Sequence, residues 1–327
     1  MALTRRHVCF GGGAVAASAV LPRGAAAQAF PARGLRIVVP YTPGGITDTV
    51  TRIVGEQLAV ALGQPVVIEN KPGANSIIGA DTVAKSPRDG YTLGMVIGAH
   101  AANATLYAGR IPFDPVADFS PVSLVGTTPL VLTTSAKLPV TSYAEFVAYA
   151  KSNPGAVNFG SSGIGAAAHL TMENLKRRAG IEMVHVPYRG TGPALTDLMS
   201  GNIGALMDTL SSLKPQIDAG RIRGIALSDT KRSAYAPEIP TFAESGLPDF
   251  VSGTWTLLVA PAGIPADVLD RLSREIARIV ASPAVKAKLD GLGIEPVGNS
   301  PAEATAFLKA EVAKWGSVIR DANVKLE

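Results

Sequence analysis

The sequence predicts an α/β protein of two lobes with a cleft between them, and three observations carry that prediction. Strand and helix patterns alternate in two successive series. An apolar run over 123–135 separates the series, and a proline-rich stretch followed by three helical patterns closes the chain. In the first series "LRIVVP" (35–40) reads as a strand. Apolar residues at 50, 53, 54, 58, 61 and 62 then have helical spacing, and Gly63 stops that helix. "PVVIEN" is a second strand, "SIIGADTVAKS" a short helix and "YTLGMVIG" a third strand, the rhythm of a parallel sheet with covering helices.

The second series starts after "SLVGTTPLVLTTS". Ser142 and Glu145 have capping-box spacing ahead of the helix "SYAEFVAYAKS". Strand "VNFG", helix "GAAAHLTMENLKRR", strand "MVHVPY", helix "PALTDLMSG" and strands "IGALMDTL" and "IRGIALS" follow. "PEIPTFAESGLPDF" is turn-rich, "TWTLLVAP" is a strand, and helices are expected from Ala266, Pro283 and Pro301. The chain is expected to cross between lobes near 125–133 and again within 228–255, giving one lobe from 30–128 plus 252–327 and another from 129–251. A cleft between lobes is the usual place for a small-molecule site.

The net charge of +4 is misleading, because residues 1–29 contain Arg5, Arg6 and Arg23 and no acid. The remainder carries 27 basic and 26 acidic side chains, which leaves no basic surface to argue for nucleic acid. Residues 1–29 read as an export signal. "MALTRRHVCF" is a charged start, "GGGAVAASAVL" a short apolar stretch, and Ala27-Gln28-Ala29 a cleavage site before Phe30. Thr4-Arg5-Arg6-His7-Val8 resembles a twin-arginine signal, and the general secretory route stays equally open. Cys9 is the only cysteine, so the cleaved protein is expected to lack disulfides and thiolate chemistry. Later stretches are interrupted before about 18 apolar residues. A periplasmic location is expected.

Metal chemistry has little support, because His100, His169 and His185 stand far apart in the chain without ligand spacing. A serine hydrolase acting through Ser161 or Ser162 is one alternative, but Ile164 stands where G-x-S-x-G needs its last glycine. Gly163-Ile164-Gly165-Ala166-Ala167-Ala168 matches a dinucleotide fingerprint between a strand and a helix. The next strand, however, ends in Tyr188 and Arg189 instead of an acid for the ribose. A strand followed by a small-residue loop at a helix start recurs three times, at "YTPGGITD", "GSSGIGAA" and "YRGTGPAL". Helix starts carry unpaired N–H groups and a partial positive charge, so three of them facing one cleft favour a small anion.

The stretches "VPYTPGGITDTVTRIVGEQLAVALGQPVVIENKPGANSIIGADTVAKSPRDGYTL", "VPYRGTGPALTDLMSGNIGALMD" and "APEIPTFAESGLPDF", with "TWTLLVAPAGIP" after them, resemble the Bug family. These are periplasmic solute receptors of tripartite tricarboxylate transporters, and the resemblance runs from about Leu35 to the C-terminus. It implies a type II periplasmic-binding-protein fold that closes like a flytrap on small carboxylates, and a membrane permease of two different subunits. No cofactor is expected, and the receptor is expected to be a monomer. By the same resemblance Pro43, Gly44, Gly45 and Asp48 form the first ligand loop, which in the family works through backbone groups and ordered water. Ser161, Ser162, Gly163 and Gly165 match the opposing loop, Tyr188, Arg189, Gly190 and Thr191 a third, and His100 and Asn103 the loop after the third strand. Asn75-Ser76 replaces two glycines common in the family.

Asp208 ends a strand facing the presumed cleft, and Tyr41 is expected either to lie over the ligand or to pack. Asp48 is expected either to cap its helix or to reach the ligand through water, and Arg189 to pair a carboxylate or stay solvated. Trp255 is expected in the hinge or core. A receptor that signals to a membrane sensor is a further alternative.

Overall fold

A computed structural model describes residues 30–325; the export-signal reading, with Cys9, lies outside them. The first lobe opens with β1 (Leu35–Val39), α1 (Ile46–Leu62), β2 (Val66–Asn70), α2 (Ile77–Ala84), β3 (Thr92–Val96) and α3 (Gly98–Leu106). In α1 the i, i+4 stripe Val50, Val54, Leu58 and Leu62 is buried, and Gly63 ends the helix in the left-handed conformation. The chain then enters β4 (Phe119–Ser135), whose 17 residues run through both lobes.

The second lobe contains α4 (Tyr143–Ser152), β5 (Asn158–Ser161), α5 (Ala167–Ala179), β6 (Val184–Pro187), α6 (Thr191–Ser200), β7 (Ala205–Thr209), α7 (Leu210–Asp218) and β8 (Ile222–Leu227). At α4, Ser142 Oγ accepts the Glu145 N–H, as its spacing predicts, while the Glu145 carboxylate turns back to Thr141. The return uses β9 (Gly253–Pro261), α8 (Ala266–Ala281), α9 (Pro283–Asp290), β10 (Glu295–Pro296) and α10 (Pro301–Asp321). The last three helices begin at the residues the sequence indicates, and α10 has a full capping box from Ser300 and Glu303.

Two helices depart from the sequence reading. α3 follows directly on β3, so the segment read as a loop with His100 and Asn103 is helical. α7 occupies the stretch read as a link between strands, where Pro215 in its interior masks the helical pattern.

The strand order is β2-β1-β3-β9-β4-β7-β5-β6, with β8 and β10 also paired to β4. β4 pairs with β9 over Phe119–Pro129 and with β7 and β8 from Leu130 onward, so the two lobes meet on one continuous strand. β1, β2 and β3 run parallel, as do β5, β6 and β7, and each set ends toward the other lobe. Ligands in open α/β sheets bind outside the carboxyl ends of such strands.

Where the chain crosses, Leu130 N–H donates to Ser228 Oγ at 3.0 Å, Ser228 N–H to Leu130 O at 2.9 Å, and Ser252 N–H to Ser228 O at 3.0 Å. Trp255 Nε1 and Trp315 Nε1 both donate to the buried Glu311 carboxylate, at 2.8 and 2.9 Å, which ties β9 to α10. Trp255 is thus a core residue beside the crossing. Leu170 of α5 is buried in the first lobe's apolar cluster with Val96, Ala101, Trp255 and Leu308. The lobes therefore share a packed edge as well as strands. Replacing Ser228 by Ala leaves the buried Leu130 N–H without its acceptor, which costs about 1–3 kcal/mol. Urea unfolding of S228A should show a lower midpoint with an unchanged slope.

Candidate ligand-binding cleft

Pro43, Gly44 and Gly45 lie exposed at the start of α1, whose first-turn N–H groups receive no side-chain cap from Gly45. Gly44 has φ +84°, and a Cβ there would meet only open space, so the glycine serves backbone shape. Asp48 fixes that shape. Its carboxylate accepts the Gly44 N–H at 2.9 Å, two Arg52 N–H groups at 3.0 and 2.9 Å, and the Asn70 amide at 2.9 Å. Arg52 first, and the Gly44 and Asn70 donors after it, hold the Asp48 carboxyl down at about 2 against the opposing effect of burial. Asp48 is therefore a loop clamp with its acceptor sites occupied. The same Asn70 amide donates to Tyr41 O at 3.0 Å. The Tyr41 hydroxyl is itself buried, and burial raises its pKa, with Ser76 partly offsetting that effect.

The loop with Asn75 and Ser76 keeps a glycine-like backbone without the glycines: Ala74, Asn75 and Ser76 have φ of 46°, 50° and 75°. Its support comes from α3. Asn75 Nδ2 donates to Asn103 Oδ1 at 2.8 Å, and Asn103 Nδ2 donates to Asn75 O at 2.7 Å. Asn103 thus shapes the loop. His100 corrects the sequence expectation of a ligand loop. It is 1% exposed, lies parallel to the Phe113 ring and edge-on to that of Phe119, and its Nε2 lies 2.8 Å from Pro115 O. Burial lowers it to about 4, so it is a neutral core residue.

In the second lobe, Ser161 Oγ is 2.7 Å from His185 Nε2, and the Gly163 N–H donates to Ser161 Oγ at 3.2 Å. Ser161 is completely buried, and among the described residues no carboxylate bonds the other His185 nitrogen. Burial and Lys176 push His185 down to about 4, away from the range that suits a general base. The geometry that would favour hydrolysis is incomplete. Ser162 and Gly163 remain half-exposed. Gly165 has φ +78°, and a Cβ on it would come within 2.4 Å of Leu106 and 3.9 Å of Asn75 Nδ2, so this loop touches the first lobe.

Tyr188 donates its hydroxyl to Asp197 at 2.6 Å, and burial with that partner pushes it up to about 12. Its role is to brace α6. Arg189 is exposed and has no side-chain partner among the described residues, at the start of the loop through Gly190 and Thr191. Thr191 Oγ1 donates to Asp208 Oδ2 at 2.7 Å, and the Thr209 N–H to Asp208 Oδ1 at 2.7 Å. Burial raises the Asp208 pKa despite those two donors. Across the cleft a Cβ on Gly293 would sit 3.0 Å from Ser211 Cβ, at the start of α7.

Elsewhere, a cavity of about 540 Å³ contains Lys231, Arg232 and Lys286, each already paired, with Glu295, Glu244 and Asp290. Its cations are spent. Among the described residues no group of three or more His, Cys, Asp or Glu is placed to hold a metal, and no helix is long and apolar enough to cross a membrane.

Two α/β lobes joined by shared strands, with helix starts at opposed loops, define a two-lobed solute-binding protein. The chain belongs to the tripartite tricarboxylate transporter receptor family, whose model matches residues 50–324. It is 36% identical over 306 residues to protein BugT of Bordetella pertussis, covering 92% of this chain and 93% of that one. A Pseudomonas sp. (strain P51) protein from the tcbD-tcbE intergenic region is 37% identical over 293 residues, or 89% and 87% of the two chains. Among solved structures, an R. palustris protein with adipate aligns at TM-score 0.80 and 35% identity, covering 90% and 99%. MatC of Rhodopseudomonas palustris with bound malate aligns at 0.76 and 32%, covering 89% and 100%.

Arg52, Asn70, Asn75, His169 and His185 support the site and were not singled out from sequence as site residues. Only the Asp48–Arg52 pair has a sequence signature, its i, i+4 spacing. Because the folded-state pKa of Asp48 lies below the ordinary carboxylate value of 3.8, its stabilisation is present above about pH 4 and lost toward about pH 2. Thermal unfolding of wild type and D48N across that window should show a gap that closes as pH falls.

Proposed function

We propose that this chain is an extracytoplasmic receptor that captures a small carboxylate between its lobes and delivers it to a two-subunit membrane permease. The observation that carries the reading is the pair of opposed helix-start loops, Pro43–Asp48 and Ser161–Gly165, with Arg189 unpaired beside the second. The family and the adipate- and malate-bound relatives support the carboxylate class. Ligand contacts fall on the backbone N–H groups of Gly45 and Thr191, on the Ser162 hydroxyl and on Arg189, while the N–H groups of Gly44, Gly163 and Gly190 are held by Asp48, Ser161 and Ser162 and shape the loops. Tyr41 and Pro43 line one wall, and Asp208 lies behind Thr191. The lobe boundaries follow the crossings, 30–128 with 252–327 and 129–251. Residues 1–29 direct export and are removed after Ala29, which leaves a monomeric periplasmic protein.

Because both lobes contribute contacts only when closed, the ligand shifts the population toward closure, and the closed form is what the permease recognises. Ser161 and His185 give a geometric hint of hydrolysis, but among the described residues no acid bonds His185 and Ser161 is buried, which favours binding over turnover.

Thermal unfolding of the protein from Phe30 onward, against a panel of small carboxylates, tests this reading. An acid at about 100 times its dissociation constant adds roughly 2.7 kcal/mol. At about 2–4 °C per kcal/mol that is a shift of several degrees. Shifts from neutral compounds alone would sink the carboxylate claim. A charge-assisted hydrogen bond is worth about 1.5–3 kcal/mol, so R189A should bind that acid roughly tenfold or more weakly by calorimetry. R189K, which keeps the charge but loses the fork, should fall between.

A further inference from the structure

The ligand loops of the two lobes are built alike at a level the loop sequences do not show. α1 begins at Ile46, so Asp48 is its third residue, and its carboxylate accepts the N–H of Gly44 at 2.9 Å. α5 begins at Ala167, so His169 is its third residue, and its Nδ1 accepts the N–H of Gly165 at 3.1 Å. In each case a side chain in the first turn reaches back four residues and pins the glycine just before the N-cap residue. Glutamate or glutamine fills this kind of position in a capping box, because it supplies an acceptor to an unpaired N–H. Here it would cost the site its function. A negative charge at a helix start competes with the anion that the neighbouring unpaired first-turn N–H groups must attract.

The lobes meet this conflict in two ways. Asp48 is cancelled by Arg52 across a 2.9 Å ion pair. His169 is held neutral. A backbone N–H can only donate, so Nδ1 is bare and the ring proton resides on Nε2, which lies 3.9 Å from Glu173 Oε1. Burial, then His185 and Lys176, push His169 down to about 3. Its ring stacks on that of His185 with centroids 3.9 Å apart, and His185 in turn meets Ser161 Oγ at the other end of the loop. The pair floors a cavity of about 280 Å³ whose other charged groups are Glu173, Lys176 and Lys325. Glu173 and Lys176 neutralise each other at 2.9 Å.

From this geometry we infer that His169, braced by His185, is a positioning residue for anion binding, and that its lack of charge is as necessary as its acceptor nitrogen. It touches no ligand. It fixes the Gly163–Gly165 loop, and with it the unpaired N–H groups at the start of α5, without placing a negative charge behind them. This rests on the carboxylate-receptor reading only for its effect on affinity; the clamp on Gly165 stands without a ligand.

Three substitutions separate shape from charge: His169→Gln keeps a neutral acceptor, His169→Glu keeps the acceptor and adds charge, and His169→Ala removes both. Two readouts are needed, amide hydrogen exchange of Gly165 in the free protein and affinity for adipate and malate. In wild type, H169Q and H169E the Gly165 amide should exchange slowly, and in H169A at least about tenfold faster. H169Q should bind the acids within about threefold of wild type. H169E should bind about tenfold or more weakly, with its deficit shrinking as salt rises. Unchanged Gly165 exchange in H169A would overturn the clamp, and H169E binding as tightly as H169Q would overturn the neutrality requirement. If H169A does not fold, the Gln–Glu comparison still decides the charge question, and Gly165 exchange in H169Q, slow or fast, decides the clamp. Should wild type bind neither acid, the carboxylate reading falls while the exchange data still judge the clamp.

Discussion

A backbone N–H can hold a carboxylate only where the protein has kept its own negative charge away from, or cancelled beside, that N–H. The rest of the cleft is organised around this constraint. The helix start of α1 carries an aspartate, and an arginine one turn later cancels it. The helix start of α5 carries a neutral imidazole where a carboxylate would otherwise serve. Asp208, behind the third loop, is desolvated, which raises its pKa, and its two oxygens are taken by the Thr191 hydroxyl and the Thr209 N–H, which work against that rise. Each is a different local solution to one electrostatic problem.

That arrangement requires two lobes that present strand ends to each other and can still move. β4 supplies the connection by running through both lobes, with its pairing changing from β9 to β7 and β8 at Pro129–Leu130. Serine hydroxyls and backbone groups of Leu130, Ser228 and Ser252 knit the crossing, while Leu170 inserts into the first lobe's apolar cluster. The loops with Gly44 and Gly293 stand on the α1 and α9 side, away from the α3 and α10 face that Leu170 joins.

Much of the fold was legible because it rests on periodicity. The stripe of α1, the alternation of strands and helices, and the helix starts at Ala266, Pro283 and Pro301 are local signals. α3 escaped notice because its small residues "GAHAANATL" follow the strand without a turn residue, and α7 because Pro215 interrupts it. Glycines in the helix-start loops were also legible as backbone devices, since Gly44, Gly163, Gly165 and Gly190 have positive φ. Which polar residues support them was not. Asn103, expected at the ligand, is spent on Asn75, and His100, expected beside it, is buried against Pro115. His169 and His185 are 16 residues apart in sequence yet their rings stack at 3.9 Å, a pairing that only β5–β6 register and the α5 helix create. Sequence motifs record the glycine backbone of the loops; tertiary contacts record what holds that backbone.

The most direct test of the account is a crystal structure with the acid that gives the largest thermal shift. Its carboxylate oxygens should accept N–H groups, directly or through one water, from the Pro43–Ile46 loop of one lobe and the Ser162–Gly165 or Arg189–Thr191 loops of the other. Density for that acid on one lobe alone, or in the cavity around Lys231 and Lys286, would contradict it.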